Sequence, residues 1–234
     1  MNGQITFDDL EQEENGSERY VRRITYDETK PFLLGVHYAR RMPNITDAFG
    51  LFMGGRLIGV VTFGVPASRP LCIGLAGPGN EKNVLELNRL CFLPDFNGNN
   101  NASFLVSRAL KMLPNKTFVV SYADTAWTHV GYVYQACNFL YTGMSAKRND
   151  TYQPNGLHPR AYDKNDHSDL MQTRSPKHRY VYLVGNKSTR RQMLKQLRYP
   201  IIKGYPKGDE KRYNTESPEI TTPIQVIRRK SFDL

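Results

Sequence analysis

The chain is poor in the residues that build disulfide-bonded and membrane-spanning proteins. Its 234 residues include three cysteines and one tryptophan, and no two cysteines have Cys-x-x-Cys spacing. Cys72, Cys91 and Cys137 each lie among apolar residues, which predicts buried free thiols in a reducing compartment. No apolar run approaches the roughly 18 residues of a membrane span, and no signal-peptide pattern is visible. We therefore expect a cytoplasmic protein without a membrane partner.

Several catalytic and cofactor signatures are also missing. The sequence has no Ser-His-Asp pattern, no Gly-x-Ser-x-Gly motif and no Rossmann or Walker glycine fingerprint. The Asp/Asn-Pro-Pro-Tyr signature of adenine-N6 methyltransferases is absent as well. Four histidines lack the spacing of a metal site and are predicted to be loop or surface residues: His129, His158, His167 and His178. None of these motifs therefore assigns a function.

The formal net charge of +10 is unevenly spread along the chain. Residues 1–18 contain six acidic residues and no basic one, and we predict that they are flexible. Residues 147–234 contain 19 basic and nine acidic residues. A basic body suits a polyanion partner, because neutralising phosphates releases counterions. A solvated basic surface is the alternative, and charge alone does not decide between the two.

Hydrophobic periodicity predicts strands that alternate with helices, which indicates an α/β or α+β sheet protein. Strands are predicted at 51–64 (two, joined at Gly54-Gly55), 84–92, 117–122, 139–142 and 180–184. Helices are predicted at 102–113, at about 130–137 and at 188–197, the last capped by Ser188. The length suits a single domain with elaborations. We place that domain at 19–200, with a polar insertion at 144–178 and a basic wrapping tail at 201–234.

Two segments carry most of the chemical information. Residues 97–103 follow a predicted strand and open a helix, where backbone amides and the helix dipole favour an anion. A plain capped helix with an Asn-rich turn is the alternative. The second segment is the later helix, which ends Tyr134-Gln135-Ala136-Cys137-Asn138-Phe139. A tyrosine on such an apolar stripe is often a core residue, so Tyr134 has a structural alternative too.

This order of strand, loop, helix, strand and helix resembles the acyl-CoA-binding half of the GNAT N-acyltransferases. Their phosphate loop follows the pattern Gln/Arg-x-x-Gly-x-Gly/Ala, which Asn97, Asn100 and Ala102 match in position. Their last helix closes as Tyr-x-x-x-Gly-Phe, where this chain has Asn138. More narrowly, residues 31–143 and 178–208 resemble the bacteriophage Mom family, which modifies the N6 amine of adenine in phage DNA. The resemblance implies a GNAT-like mixed central sheet flanked by helices, with a basic C-terminal extension.

The resemblance also implies the active-site residues. The implied catalytic residues are His37, Tyr38, Arg89, Asp124 and Tyr134. The loop implied to hold acetyl-CoA or a related acyl donor consists of Asn97, Gly98, Asn99, Asn100, Asn101, Ala102 and Ser103. The family is associated with iron, for which His37, Tyr38 and Asp124 are the candidate ligands.

Specific chemical roles are expected for two of these residues, Tyr134 and Asp124. Tyr134 is implied to protonate the leaving CoA thiolate, and a phenol with a pKa near ~10 suits that step. Asp124 ends a strand, where open α/β sheets place ligands, and its carboxylate could orient or deprotonate an amine. The alternative for Asp124 is an N-cap of the segment through Trp127.

Arg89 poses a problem of charge. Strand alternation places it on one face with Leu85, Leu87 and Cys91. A guanidinium among apolar side chains needs an anionic partner, because burying an unpaired charge is costly. Glu86 is the nearest carboxylate, but alternation predicts that it lies on the opposite face.

The implied function is transfer of a methylcarbamoyl group to adenine N6 in duplex DNA, which shields phage DNA from host restriction. Attack on acetyl-CoA gives N–CO–CH3, whereas methylcarbamoyl is N–CO–NH–CH3, so we expect a metal or an unusual donor. Two alternatives stay open. One is a conventional GNAT acetyltransferase acting on a protein or small amine, and the other is a non-catalytic DNA-binding anti-restriction protein.

The DNA side follows from geometry. Because a donor in a sheet crevice does not reach a paired base easily, we expect base flipping, with the adenine stacked on Tyr38, Trp127 or Tyr132. Phosphates would be held by basic residues of the C-terminal region. These residues are Lys187, Arg190, Arg191, Lys195, Arg198, Lys203 and Lys207. A solvated charged surface is the alternative reading of this region.

Overall fold

The computed structural model describes residues 19–98, 100–146, 148–151, 170–208 and 226–228. Its main sheet has seven strands in the order β1-β2-β3-β4-β5-β9-β6. The strands of this sheet are β1 (Arg19–Arg23), β2 (Asp47–Met53), β3 (Arg56–Gly64), β4 (Val84–Phe92), β5 (Thr117–Asp124), β6 (Leu140–Met144) and β9 (Lys177–Val184). All neighbours are antiparallel except β4 and β5. The prediction of a mixed sheet flanked by helices is confirmed.

The helices connect the strands and cover the sheet. They are α1 (Tyr26–Lys30), α2 (Arg69–Ala76), α3 (Asn101–Met112), α4 (Tyr132–Ala136) and α5 (Lys187–Gln196), with a π-helical turn at Pro31–Val36. The apolar residues of α3, including Leu105 and Ala109, join the largest core cluster. Met193 of α5 is fully buried in a second cluster with Phe118 and Val181. No helix among the described residues is long and apolar enough to cross a membrane.

Three local predictions, for a turn, a helix cap and the cysteines, can be compared with the structure. Gly54 and Gly55 have φ angles of +56° and +73°, the left-handed backbone that a tight β2–β3 turn requires. The cap prediction for α5 is wrong, because Asn186 and not Ser188 accepts the Thr189 amide, at 2.9 Å. The three cysteines are buried and free, as expected.

The predicted polar insertion and tail contain further strands. β7 (Arg148–Thr151) and β8 (Leu170–Arg174) pair with each other, and β10 (Val226–Arg228) pairs with β8. These three strands form a second sheet. The segment 201–208 packs against α4 and the residues that follow it: the Gln135 amide donates to the Pro206 carbonyl at 3.1 Å, and the Tyr205 hydroxyl donates to the Phe139 carbonyl at 2.7 Å. The acidic segment 1–18 lies outside the described residues.

A β-bulge interrupts β4. Thr62 pairs with Arg89 whereas Phe63 pairs with Leu87, so Asn88 is an extra residue on this strand. Side-chain hydrogen bonds hold the bulge, since Thr62 donates to Asn88 at 2.6 Å and Asn88 donates to the Asn44 carbonyl at 2.8 Å. The extra residue shifts the alternation of side chains by one position beyond Asn88.

The bulge overturns the prediction that Leu85, Leu87, Arg89 and Cys91 share a face. Leu85 and Leu87 pack in the same core cluster as Leu90 and Phe92. Cys91 packs on the other side of the sheet, in the cluster around Phe32 and Val60. Glu86 and Arg89 therefore lie on one face, and strand parity no longer separates them.

The two parallel strands stay paired for a short distance only. β4 and β5 are in register from Val84↔Phe118 to Glu86↔Val120, and they separate beyond that point. The Ser121 hydroxyl donates to the Leu87 carbonyl at 3.0 Å and closes the base of the gap. The separation opens a cleft in the middle of the sheet.

Asn138 lies just after α4 and has left-handed backbone, with a φ of +58°. We expect Asn138→Ala to lower the free energy of unfolding by about 1 kcal/mol, because alanine tolerates left-handed backbone poorly. Asn138→Gly should keep the wild-type value within about 0.5 kcal/mol. Urea unfolding of the three proteins checks this. An alanine variant as stable as wild type would contradict the assigned backbone conformation.

Candidate active site

The cleft between β4 and β5 has a volume of about 1750 Å³. All five predicted catalytic residues line it: His37, Tyr38, Arg89, Asp124 and Tyr134. The predicted donor loop lines it as well, through Asn97, Gly98, Asn100, Asn101, Ala102 and Ser103, while Asn99 lies outside the described residues. Residues that are up to 97 positions apart in the chain are thus brought to one cleft.

His37 is held by the turn that precedes it. Its backbone amide donates to the Phe32 carbonyl at 2.8 Å, five residues back, which ends the π-helical turn. Its Nδ1 accepts the Ala39 amide at 3.0 Å, and its ring stacks on Tyr38 with centroids 4.3 Å apart. Burial, with the charge of Arg89, lowers the pKa of His37 to about 4. The imidazole is therefore neutral at pH 7, with its proton on Nε2.

The lowered pKa of His37 predicts a pH-dependent stability. The unfolded histidine, with a pKa near 6.5, binds a proton more readily than the folded one, so acidification from pH 6.5 to 4 favours unfolding. A shift of this size corresponds to about 3 kcal/mol over that window. Unfolding free energies at pH 7 and pH 4.5 should therefore differ less in His37→Asn than in wild type. Equal differences in the two proteins would show that His37 is not the buried neutral group.

Tyr134 lines the cleft and also packs in the core. Its ring lies 5.4 Å from Phe139 and 5.3 Å from Tyr180, centroid to centroid, so the core-packing alternative holds for the ring. Burial raises the pKa of Tyr134 to about 12, although a hydrogen bond with Ser121 partly offsets the effect. The phenol therefore keeps its proton at every physiological pH and is available as a donor.

The Asp124 carboxylate is fully engaged. It accepts the Ala126 amide at 3.0 Å, as the N-cap alternative predicted, and it accepts the Ser175 hydroxyl. Its second oxygen lies 2.7 Å from the Lys177 ammonium. Burial would raise the pKa of Asp124, but the hydrogen bonds and charge of Lys177 and Ser175 outweigh it and hold the pKa below its ordinary value. Asp124 is a weak base that fixes the end of β5 to the start of β9.

Iron coordination by His37, Tyr38 and Asp124 does not fit this geometry. A metal at Nε2 of His37 would move the ring proton to Nδ1, where the Ala39 amide already donates. A metal at Asp124 would displace the Lys177 ammonium or lie against it. Across the described residues, no three His, Cys, Asp or Glu side chains converge on a common point.

The donor loop begins α3 in an unusual conformation. Asn100 has a φ of +60°, the left-handed backbone for which asparagine is the best non-glycine residue, and its side chain makes no cap hydrogen bond. Asn101 is buried and structural, because it accepts from Arg19 at 3.0 Å and donates to the Phe96 carbonyl at 3.1 Å. The loop is thereby fixed to β1, with the first turn of α3 at the cleft.

The predicted DNA-binding residues lie elsewhere. Lys187, Arg190, Arg191, Lys195, Arg198, Lys203 and Lys207 are all exposed, and none of them lines the cleft. The basic side chains that do line it, among the described residues, are Arg41, Arg89, Arg174, Lys177 and Arg179. Arg179 is fixed there, since it donates to Thr142 and lies 3.4 Å from the Tyr199 ring centroid. These cations come from four separate segments, and of the five only Arg89 was predicted from the sequence as a site residue.

The aromatic candidates for base stacking differ in availability. Tyr38 lines the cleft and is 45% exposed. Tyr132 lines it too, but its hydroxyl donates to the Gly208 carbonyl, which fixes it to the C-terminal segment. The Trp127 side chain lies outside the described residues. Tyr38 is therefore more available for stacking than Tyr132.

Comparison with known proteins gives one family match and more distant structural relatives. The sequence model of the Mom protein family matches residues 18–207. The chain is 33% identical over 112 residues to the methylcarbamoylase mom of Escherichia phage Mu, and this match spans 46% of each protein, or about half of that relative. An N-acetyltransferase from Staphylococcus aureus Mu50 aligns at 15% identity and TM-score 0.44, over 72% of this chain and 99% of that one. A Bacillus subtilis acetyltransferase in complex with CoA aligns at 13% identity and TM-score 0.41, over 70% and 97%.

Proposed function

This chain belongs to the Mom protein family, and on that premise we propose that it is a phage DNA-modification enzyme that transfers a methylcarbamoyl group to adenine N6 in duplex DNA. One observation carries the proposal: a neutral histidine, an exposed tyrosine, an arginine and a protonated phenol line the same cleft as the loop that opens α3. The relative from phage Mu, whose name is methylcarbamoylase, supports the nature of the group.

The donor is proposed to be a thioester of the CoA class. Its pyrophosphate would lie at the first turn of α3, where backbone amides and the helix dipole favour an anion. The adenine N6 attacks the donor carbonyl carbon, the N–C bond forms and the C–S bond breaks. Tyr134 gives its phenolic proton to the departing thiolate. This assignment uses the high pKa of Tyr134, because the donor must be protonated when the thiolate leaves.

Atom balance restricts the transferred group. An acetyl thioester would leave N–CO–CH3 on adenine, whereas the methylcarbamoyl product is N–CO–NH–CH3. The carbonyl that N6 attacks must therefore already carry the methylated nitrogen, as in an N-methylcarbamoyl thioester. With such a donor the transfer needs no redox step, and the side chains of the cleft suffice for it.

The DNA is proposed to enter over the basic wall of the cleft. Arg41, Arg174 and Arg179 line the same cleft as Tyr38, so cations and a stacking platform lie together. Such a wall suits the phosphates that flank a flipped nucleotide. The adenine would stack on Tyr38, since a base must leave the duplex to reach a donor within a sheet.

Resistance of DNA to cleavage tests this function. Plasmid DNA from cells that express the chain should resist restriction endonucleases whose sites contain adenine, while sites without adenine should be cut normally. Plasmid from cells that express Tyr134→Phe should be cut at both kinds of site. Full cleavage of adenine-containing sites, with soluble wild-type protein in the cells, would contradict the proposal and favour a conventional acetyltransferase.

A further inference from the structure

The cleft contains a second carboxylate, Glu86, that the resemblance does not assign to any role. It lies on β4 before the bulge, and the shift at Asn88 brings Arg89 to the same face. Glu86 also stands at the point where β4 and β5 separate, opposite Val120. Its side chain lines the cleft, partly accessible from it. Its position is therefore at the base of the opening and not on the outer surface.

The surroundings of Glu86 contrast with those of Asp124. Asp124 accepts two hydrogen bonds and an ion pair, whereas Glu86 forms no hydrogen bond or ion pair with any described residue. A carboxylate that is already bonded on both oxygens accepts a further proton poorly, while an unbonded one keeps its lone pairs for a ligand. The two carboxylates of the cleft therefore differ in their ability to accept a proton.

The charged and titratable groups around Glu86 come from four elements. Arg89 acts on it from β4 and Lys177 acts on it from β9. Glu86 in turn acts on the Tyr134 phenol of α4 and on the Cys72 thiol of α2. Burial raises the pKa of Glu86 above its ordinary value of 4.5, and the charges of Arg89 and Lys177 oppose that rise without cancelling it. The raised pKa makes the carboxylate a stronger base than a solvated one, and Arg89 and Lys177 favour its ionised form.

We infer that Glu86 is the general base that takes the proton from the attacking amine, and that Asp124 positions the cleft wall instead. The inference rests on the proposed function. As the N–C bond forms, one N6 proton passes to the Glu86 carboxylate, and the C–S bond breaks as Tyr134 protonates the thiolate. Glu86 thus accepts the proton of the attacking amine, and Tyr134 supplies the proton of the leaving thiolate. Both residues return to their resting protonation states by exchange with solvent.

The matched pair Glu86→Gln and Asp124→Asn tests the inference, because each replaces a carboxylate by its amide. The measurement is the pH dependence of kcat/KM for adenine modification of duplex DNA by the full chain. In wild type the rate should fall on acidification at a pH above 4.5, since Glu86 must be ionised and its pKa is raised. Glu86→Gln should lower kcat about 10²-fold and lose this acid limb. Asp124→Asn should also lower the rate but keep the limb.

The conservative variant Glu86→Asp separates chemistry from folding. It retains a carboxylate set back by one methylene, so the acid limb should persist at a reduced rate. The midpoint temperature of thermal unfolding of Glu86→Gln should be no lower than that of wild type, because a neutral amide costs less to bury than a carboxylate. An acid limb that persists in Glu86→Gln, or that disappears in Asp124→Asn alone, would overturn the role of Glu86 and leave the proposed function standing. Wild-type protein that modifies no adenine would overturn both.

Discussion

Tyr134→Phe should lower kcat for adenine modification about 10³-fold while the protein stays folded. The phenol is the only protonated acid that the proposed reaction uses, and general acid catalysis of this kind is typically worth about 10²–10⁴-fold. The ring stays in place because its contacts with Phe139 and Tyr180 do not involve the hydroxyl. Loss of the hydrogen bond with Ser121 should cost about 1 kcal/mol of stability.

Tyr182→Phe is the matched control for Tyr134→Phe. Its ring also packs on Phe139, at 5.2 Å, but its hydroxyl accepts from Arg190 on the surface and does not line the cleft. We expect its kcat to stay within about twofold of wild type, since no proton transfer involves it. A Tyr134→Phe rate as close to wild type as that of the control would remove Tyr134 from the mechanism.

A large effect on stability is expected at Gly131, the residue that immediately precedes α4. Its φ is +80°, and an added Cβ would lie 2.6 Å from Tyr180 Cε2 and 2.9 Å from Tyr134 Cδ2. Both the backbone strain and the overlap are unfavourable, and we expect Gly131→Ala to lower the free energy of unfolding by about 3 kcal/mol. The overlap is with the rings of Tyr134 and Tyr180, so the substitution should also displace the Tyr134 hydroxyl. The modification activity should therefore fall as well.

A control for Gly131→Ala is Gly79→Ala, where φ is +84° but no heavy atom lies within 4 Å of the added Cβ. Its loss of stability should be about 1 kcal/mol, the cost of the backbone conformation alone. Urea unfolding of both variants separates strain from overlap. Equal losses in the two variants would show that the Tyr134–Tyr180 contact at Gly131 is looser than the structure has it.

Residue type and periodicity predicted much of the fold. Strand β4 has the predicted bounds, because its apolar residues alternate at both ends of the bulge. Asn100 in the donor loop and Asn138 after α4 both have left-handed backbone, which asparagine adopts more readily than other non-glycine residues. Local rules of this kind need no knowledge of distant parts of the chain.

The features that the sequence did not predict depend on distant contacts. The bulge at Asn88 is held by Thr62 and Asn44, which no pattern within β4 reveals, and it brings Arg89 to the face of Glu86. The pairing of Lys177 with Asp124 requires β5 and β9 to be neighbours, and they are separated by more than 50 residues. The ion pair of Asp124 and the position of Glu86 on the same face as Arg89 depend on these contacts, so the roles proposed for the two carboxylates became visible only in three dimensions.

Mass spectrometry of nucleosides tests the central claim most directly. DNA from cells that express the chain should contain a heavier deoxyadenosine whose exact mass equals the methylcarbamoyl derivative, and this species should be absent from cells that express His37→Ala. The mass also distinguishes methylcarbamoyl from acetyl, so it tests the transferred group as well as the base. Unmodified deoxyadenosine in the presence of soluble, folded wild-type protein would contradict the claim that this cleft modifies DNA.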